Sequence, residues 1–232
     1  EVPSRGLGDV YKRQALEIDK KPLEYSLRNK SFFKLWDPKV RTIFESLYRK
    51  DYFEDQFFKC SVLWGDAREE INIIPSSIKF DLIYLDGFSP QKCPQLWTIE
   101  FLSKVTENLN SHGYLITYSS SAAVRKTLRN LGLEIFTIKP SFKNRTFWSQ
   151  GTVAISKFDK NKLKPNFNFE KLSLMEEEHL LTKASIPYRD QDLNSSKDDI
   201  IRRRLDEQLF SNLLSTNKWR EKWGMTKLSV KS

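Results

Sequence analysis

The sequence is poor in cysteine, histidine and methionine, with two of each. Two cysteines, Cys60 and Cys93, are too few to staple a chain of 232 residues, so no disulfide framework is expected to carry the fold. Cys60 falls in a strand-like run and Cys93 in a proline-rich loop, and a reduced, cytoplasmic setting is the simplest reading. The histidines, His112 and His179, stand far apart without a companion ligand motif, so no metal site is expected. No apolar run approaches the ~20 residues that a membrane-crossing helix needs. Residues 1–14 also lack the apolar stretch of a secretory leader. Glycine is scarce, and the Gly6-Leu7-Gly8-Asp9 stretch is a weak imitation of a nucleotide loop. Such a loop needs a strand before it and a helix of about ten or more residues after it, and only six residues separate Gly8 from a strand at Ala15.

What is present supports a folded α/β protein. The 39% hydrophobic share suffices for a core, and the length suits one α/β domain plus an extension. Lys and Arg number 39 against 30 Asp and Glu, a formal net charge of +9. That balance favours a polyanionic partner, because phosphate contacts supply most non-specific nucleic-acid affinity. Charge alone leaves a merely soluble basic surface equally open.

Residues 1–14 resemble a leader translated from cloning or adapter DNA and are set aside for fold reasoning. From Ala15 strands and helices alternate. Strands are expected at Ala15–Asp19, Phe57–Leu63, Phe80–Leu85, Tyr114–Tyr118, Leu133–Ile138 and Thr152–Ser156. Helices are expected from Pro22, over Lys39–Lys50, weakly at Ile71–Ile74, and over Leu96–Leu109 and Ala122–Leu131. The alternation predicts a parallel sheet with helices on both faces, and the nearly continuous apolar strands predict burial on both sides. After Lys157 the composition shifts to a Lys-, Asn- and Phe-rich linker, with helical candidates at 173–183 and 198–214. The organisation is therefore a leader (1–14), an α/β domain (15–157) and a linker with a helical extension (158–232).

Ligands of open α/β sheets bind beyond the carboxyl ends of the strands. Three successive strands end in acids here: Glu17 and Asp19, then Asp66, then Asp86. That series suits a nucleoside-containing cofactor. The first carboxylate would accept from ribose hydroxyls, the second from an adenine amino group, and the third would face the reacting centre. Taken singly, each acid is equally well a turn or helix cap. The most specific stretch is Asp86-Gly87-Phe88-Ser89-Pro90-Gln91-Lys92-Cys93-Pro94-Gln95-Leu96-Trp97-Thr98. Gly87 permits a tight turn, and two prolines stiffen the loop, as holding two reactants in line requires.

This segment resembles the MnmC-like methyltransferase domain, a family that makes 5-methylaminomethyl-2-thiouridine in tRNA. Leu115-Ile116-Thr117-Tyr118-Ser119 and Ala123-Val124-Arg125 follow in the family's order. Asp19-Lys20-Lys21-Pro22-Leu23 and Trp64-Gly65-Asp66 precede in the same order. The resemblance covers about residues 15–157. It implies a Rossmann-like fold, S-adenosylmethionine as cofactor, and tRNA as partner, with no membrane and no metal. Glu17, Asp19, Asp66, Ala67, Asp86 and Gly87 would bind the cofactor, and Asp86 would take the proton of the acceptor amine. Phe88, Pro90, Lys92, Trp97, Arg125, Lys143 and Arg145 would contact the substrate. The family's glycine-rich cofactor loop should precede Ala15, so the first strand, that loop and the first helix are expected to be missing here. The extension looks like the version found in cyanobacterial and plastid relatives.

A basic run, Arg125, Lys126, Arg129, Lys139, Lys143 and Arg145, is interleaved with Phe142, Phe147 and Trp148, which suits RNA backbone and base contacts. A solvated helix face with core aromatics is the plainer reading of the same residues. Arg202–Arg204 are offset by nearby acids and suit a solvated helix. Two other functions remain open on these residues. One is a small-molecule methyltransferase or aminopropyltransferase-like enzyme with the same strand-end acids; the other is a non-catalytic RNA-binding relative.

Overall fold

In the computed structural model, residues 11–138, 150–156 and 169–225 are described, and they divide after Ile74 into two units. In the first, β1 (Tyr11–Glu17) leads through α1 (Lys21–Arg28), α2 (Lys30–Leu35) and α3 (Pro38–Lys50) to β2 (Tyr52–Glu54), β3 (Phe58–Trp64) and α4 (Ala67–Glu70). The strands form one sheet in the order β1-β3-β2. β1 and β3 run parallel, from Tyr11 beside Phe58 to Glu17 beside Trp64. Their carboxyl ends therefore lie level, and the Gly65 N–H closes them by donating to the Glu17 carbonyl at 2.9 Å.

β1 begins at Tyr11, four residues before the expected start. Backbone pairing of Tyr11–Gln14 with Phe58–Ser61 places them in the strand, although their side chains show no strand pattern. The helices start where the sequence signals them. Pro22 sits in the first turn of α1, and Pro38 opens α3, where Asp37 accepts from the Lys39 N–H at 2.8 Å. Asp51 ends α3 in the left-handed conformation at φ 61°.

The second unit holds β4 (Phe80–Tyr84), α5 (Ile99–Glu107), β5 (Leu109–Thr117), α6 (Ala122–Asn130), β6 (Glu134–Ile138), β7 (Thr152–Ile155) and β8 (Phe169–Lys171). It continues with α7 (Leu174–His179), α8 (Lys197–Phe210) and α9 (Thr216–Lys222). The sheet order is β4-β5-β7-β6-β8. Among the described strands of this unit, β4 and β5 pair in parallel; β7 lies between β5 and β6 and runs antiparallel to both. The expectation of parallel strands throughout is corrected accordingly: β7 takes the antiparallel direction against both of its neighbours. The core packs Trp97, Phe101, Leu102, Leu115, Val124, Leu128, Ala154 and Ile200, none more than 2% exposed.

Two further expectations change. The nearly continuous apolar run of β4 predicts burial on both faces, yet Leu82 and Tyr84, which share one face, are 44% and 70% exposed. The helix expected over Leu96–Leu109 is split: Pro94–Trp97 forms a 3₁₀ turn, Thr98 caps α5, and Leu109 already opens β5.

The C-terminal residues belong to this second unit. β8 extends its sheet beside β6, and Thr98 bridges to Tyr188. Glu176 of α7 forms a buried ion pair with Arg125 of α6 at 2.8 Å. Beside it, Arg129 grips both oxygens of Glu177 at 2.7 and 2.8 Å.

Candidate functional site

In the first unit the acids stand beyond the carboxyl ends of β1 and β3. Glu17 is exposed, and its carboxylate makes no hydrogen bond among the described residues. Asp19 is exposed too, and its Oδ1 accepts from the Lys21 N–H at 2.9 Å, fixing the entry to α1. Asp66 caps α4, accepting from the Arg68 N–H at 2.9 Å and pairing with its guanidinium at 2.6 Å. The Arg68 hydrogen bond holds the Asp66 carboxyl below the usual carboxylate range against some burial. Of the three acids, Asp66 thus caps a helix and Asp19 holds a turn, the two roles that their sequence left open. Ala67, half-buried, is the first residue of α4. Gly65 precedes them at φ 153°, a conformation that favours glycine.

The same end carries a cluster that the sequence reading passed over. The Asp51 carboxylate pairs with Lys20 and accepts from Trp64 Nε1 at 2.8 Å, while Lys20 Nζ lies 5.2 Å from the Trp64 ring centroid. The Lys20 hydrogen bond keeps the Asp51 carboxyl low. Nothing in the spacing of Lys20, Asp51 and Trp64 marks them as partners; parallel pairing of β1 with β3 brings Lys20 to Trp64, and the Val62 N–H, donating to the Asp51 carbonyl at 2.9 Å, holds Asp51 beside them.

In the second unit the strand-to-helix corner after β4 is tightly held. Asp86 and Phe88 are exposed, Phe88 at 75%. Between them the Gly87 carbonyl accepts from the Tyr118 hydroxyl at 2.8 Å. The next carbonyl, that of Phe88, accepts from Trp97 Nε1 at 2.8 Å. A Cβ on Gly87 would meet Leu96 Cδ1 at 2.6 Å, so glycine lets the corner lie against the following turn. Two successive carbonyls are therefore fixed from behind, and the Asp86 carboxylate and Phe88 ring are left facing outward. Lys92 is exposed on the same loop. Burial first, and then the charges of Asp86 and Cys93, raise the Tyr118 phenol above its ordinary pKa, which keeps it a hydrogen-bond donor.

Three expected substrate contacts are corrected. Trp97 is 0% exposed and serves as core and as donor to the corner. Pro90 is buried in the loop. Arg125 is 2% exposed, and its guanidinium is spent on Glu176, Thr152, Thr137 and the Gly151 carbonyl. An arginine on an amphipathic helix reads as solvated when its partner, here 51 residues away, cannot be seen. Lys143 and Arg145, with Lys139, Phe142, Phe147 and Trp148, lie outside the described residues.

Carboxylates suit the hydroxyl and amino hydrogens of an adenosine, and the outward-facing Glu17 carboxylate fits that chemistry. Asp66 fits less freely, because Arg68 already occupies both of its oxygens. No group of three or more potential metal ligands is found among the described residues, and none of the described helices is long and apolar enough to cross a membrane.

Comparison with known proteins accords with this geometry. An archaeal protein, MJ0670 of Methanocaldococcus jannaschii, is 30% identical over 184 residues, which is 78% of this chain and 48% of that protein. The tRNA 5-methylaminomethyl-2-thiouridine biosynthesis bifunctional protein MnmC of Burkholderia multivorans is 33% identical over 72 residues, 31% of this chain and 11% of that protein. The chain thus spans about half of the first relative and about a tenth of the second. Among solved structures, MNMC2 from Aquifex aeolicus superposes with a TM-score of 0.65 at 26% identity, covering 87% of this chain and 69% of that one. These likenesses agree with a mixed α/β, Rossmann-like methyltransferase fold. The sequence profile of one family matches residues 30–153, more than half the chain, and the chain belongs to that family, the S-adenosyl-L-methionine-dependent methyltransferases.

Proposed function

We propose that the protein methylates the primary amine of an aminomethyl group on a wobble uridine of tRNA, in the cytoplasm. The observation that carries the reading is the corner at Asp86-Gly87-Phe88, held by Tyr118 and Trp97 with a carboxylate and an aromatic ring turned outward. The names of the MnmC relatives and the net charge of +9 support tRNA as the substrate. S-adenosylmethionine, when bound, supplies an electrophilic methyl group. The acceptor amine must be neutral to attack, yet alkylammonium groups have pKa values of about 10. Asp86 accepts that proton and passes it to water, so that it is again a carboxylate facing the cationic amine once the methyl group has been received. Phe88 stacks on the base, and Lys92, Lys143 and Arg145 meet phosphates; the cofactor residues are Glu17, Asp19, Asp66 and Ala67 of the first unit and, by themselves, Asp86 and Gly87 of the second.

The reading includes the division into a methyltransferase domain (15–157), to which strand pairing adds Tyr11–Gln14, and an extension of the cyanobacterial and plastid type (158–232). Both parallel pairs end in an edge strand, β1 or β4, with one partner each among the described residues, and each edge can take another strand.

The catalytic test is Asp86→Asn in the full-length protein, with tRNA from cells lacking this methylation. Turnover should fall by about 100-fold or more, within the range of general-base loss, with cofactor affinity unchanged. Near-normal turnover would remove Asp86 from the role, and loss of cofactor binding would move it to the cofactor. Recovery of the variant at alkaline pH is expected, since a deprotonated amine needs no base.

A further inference from the structure

We infer that Tyr118 is a positioning residue of this methyltransferase, acting on the reaction by aiming Asp86 through the carbonyl of Gly87. The inference rests on the proposed role of Asp86. Tyr118 directly follows β5, the parallel neighbour of β4, so the sheet itself brings its ring beside the corner that β4 leads into. Its hydroxyl donates to the Gly87 carbonyl at 2.8 Å. Its ring meets Trp97 edge-on, with centroids 6.3 Å apart and planes at 86°. Trp97 in turn holds the Phe88 carbonyl. The two aromatic donors brace one another and grip successive peptide groups. One peptide plane follows Asp86 and Gly87, and the other follows Phe88.

The division of labour between the two donors is informative. Trp97 is wholly buried, as a donor serving the fold would be. Tyr118 is 46% exposed, and a half-exposed phenol has water to bond to, so folding does not require it to reach the Gly87 carbonyl. What the bond does accomplish is to fix the backbone one residue beyond Asp86. A carboxylate that must meet a proton within hydrogen-bond reach gains from this, because displacement of about 1 Å can cost 100-fold in rate. The adjacent glycine would otherwise leave that segment the most conformationally free part of the corner.

A double-mutant cycle tests the coupling. In the full-length protein Tyr118→Phe keeps the ring against Trp97 and removes only the hydroxyl. It should lower kcat about tenfold, with cofactor affinity and melting temperature nearly unchanged. Introduced into the Asp86→Asn background, the same change should lower kcat less than about twofold, because the aimed group is already disabled. An equal factor in both backgrounds would overturn the inference while leaving Asp86 in place. Near-wild-type kcat in Tyr118→Phe alone would overturn it as well. Near-normal turnover of Asp86→Asn alone would overturn the catalytic reading and this inference together. The cycle therefore separates the two failures.

Discussion

Replacing Glu176 by glutamine should destabilise the second unit more than any substitution on its surface. Arg125 and Glu176 have side chains only 2% and 8% exposed, and they lie 2.8 Å apart. Glutamine removes the negative charge but not the arginine, which would then remain cationic in a site closed to water. The other hydrogen-bond partners described for it, Thr152, Thr137 and the Gly151 carbonyl, are neutral, and the nearby Glu177 carboxylate is already bound to Arg129. The second carboxylate oxygen also matters, for it accepts the Ser173 N–H and hydroxyl, both at 2.9 Å, in the capping box of α7. Breaking a buried pair from one side costs about 3–5 kcal/mol. At roughly 2–4 °C per kcal/mol for a unit of this size, the melting temperature should drop by about 6–20 °C. Urea unfolding followed by circular dichroism and tryptophan fluorescence measures the same quantity. Replacing both partners, with Arg125→Met added, should cost less than the two single changes summed, by about 2 kcal/mol or more, since no buried charge is left alone. The pH dependence supplies a second check. Burial works against the Glu176 carboxylate, but hydrogen bonds from Ser173 and Arg125 outweigh it and hold its pKa below the usual range. Its contribution is therefore complete at neutral pH and is lost as pH falls below about 4.5. Glu176→Gln should flatten that acid limb. A shift under about 2 °C, or additive single and double changes, would refute the account of the pair as the lock between α6 and α7.

Other outcomes are expected from the same structure. His179 stacks on Trp219 at 4.1 Å between ring centroids, and burial, with the charges of Arg125 and Arg220, pushes its pKa down to about 4. A lowered histidine pKa stabilises above the unfolded value and loses that contribution on acidification. The second unit should therefore weaken between pH 6.5 and about 4, by about 2 kcal/mol after solvent screening, and His179→Gln should remove the slope above pH 4.5 in urea titrations. A slope unchanged in the variant would contradict this. The edge strand β4 presents Leu82 and Tyr84 to solvent, so the chain alone should aggregate on concentration, and Leu82→Lys should slow this in light scattering. Equal aggregation of both proteins would show that the exposed edge is not the cause.

The sequence by itself determined the elements whose signals are local. The helical run over Lys39–Lys50 set α3 to within a residue of its start, and alternating runs of strand and helix set the α/β class. The strand-end positions of Glu17, Asp66 and Asp86 were legible because a strand end and its turn lie within a few residues. So was the Asp86–Thr98 motif, whose glycine and prolines do their work locally. Short elements escaped: β2 and β8 have three residues each and exist because a neighbouring strand pairs with them. Sheet direction escaped for the same reason, since β7 runs antiparallel to β5 and β6 by pairing and not by its own pattern. Tertiary structure alone decided which residues face a ligand and which hold the fold. Arg125 looked like an RNA contact until Glu176 covered it, and Trp97 looked like a substrate contact until the core enclosed it. Tyr118 looked like an ordinary strand residue until its hydroxyl met Gly87, 31 residues away. Charge and aromaticity are properties of a residue, whereas burial and partnership belong to the residues that packing brings together, and only the folded chain specifies those.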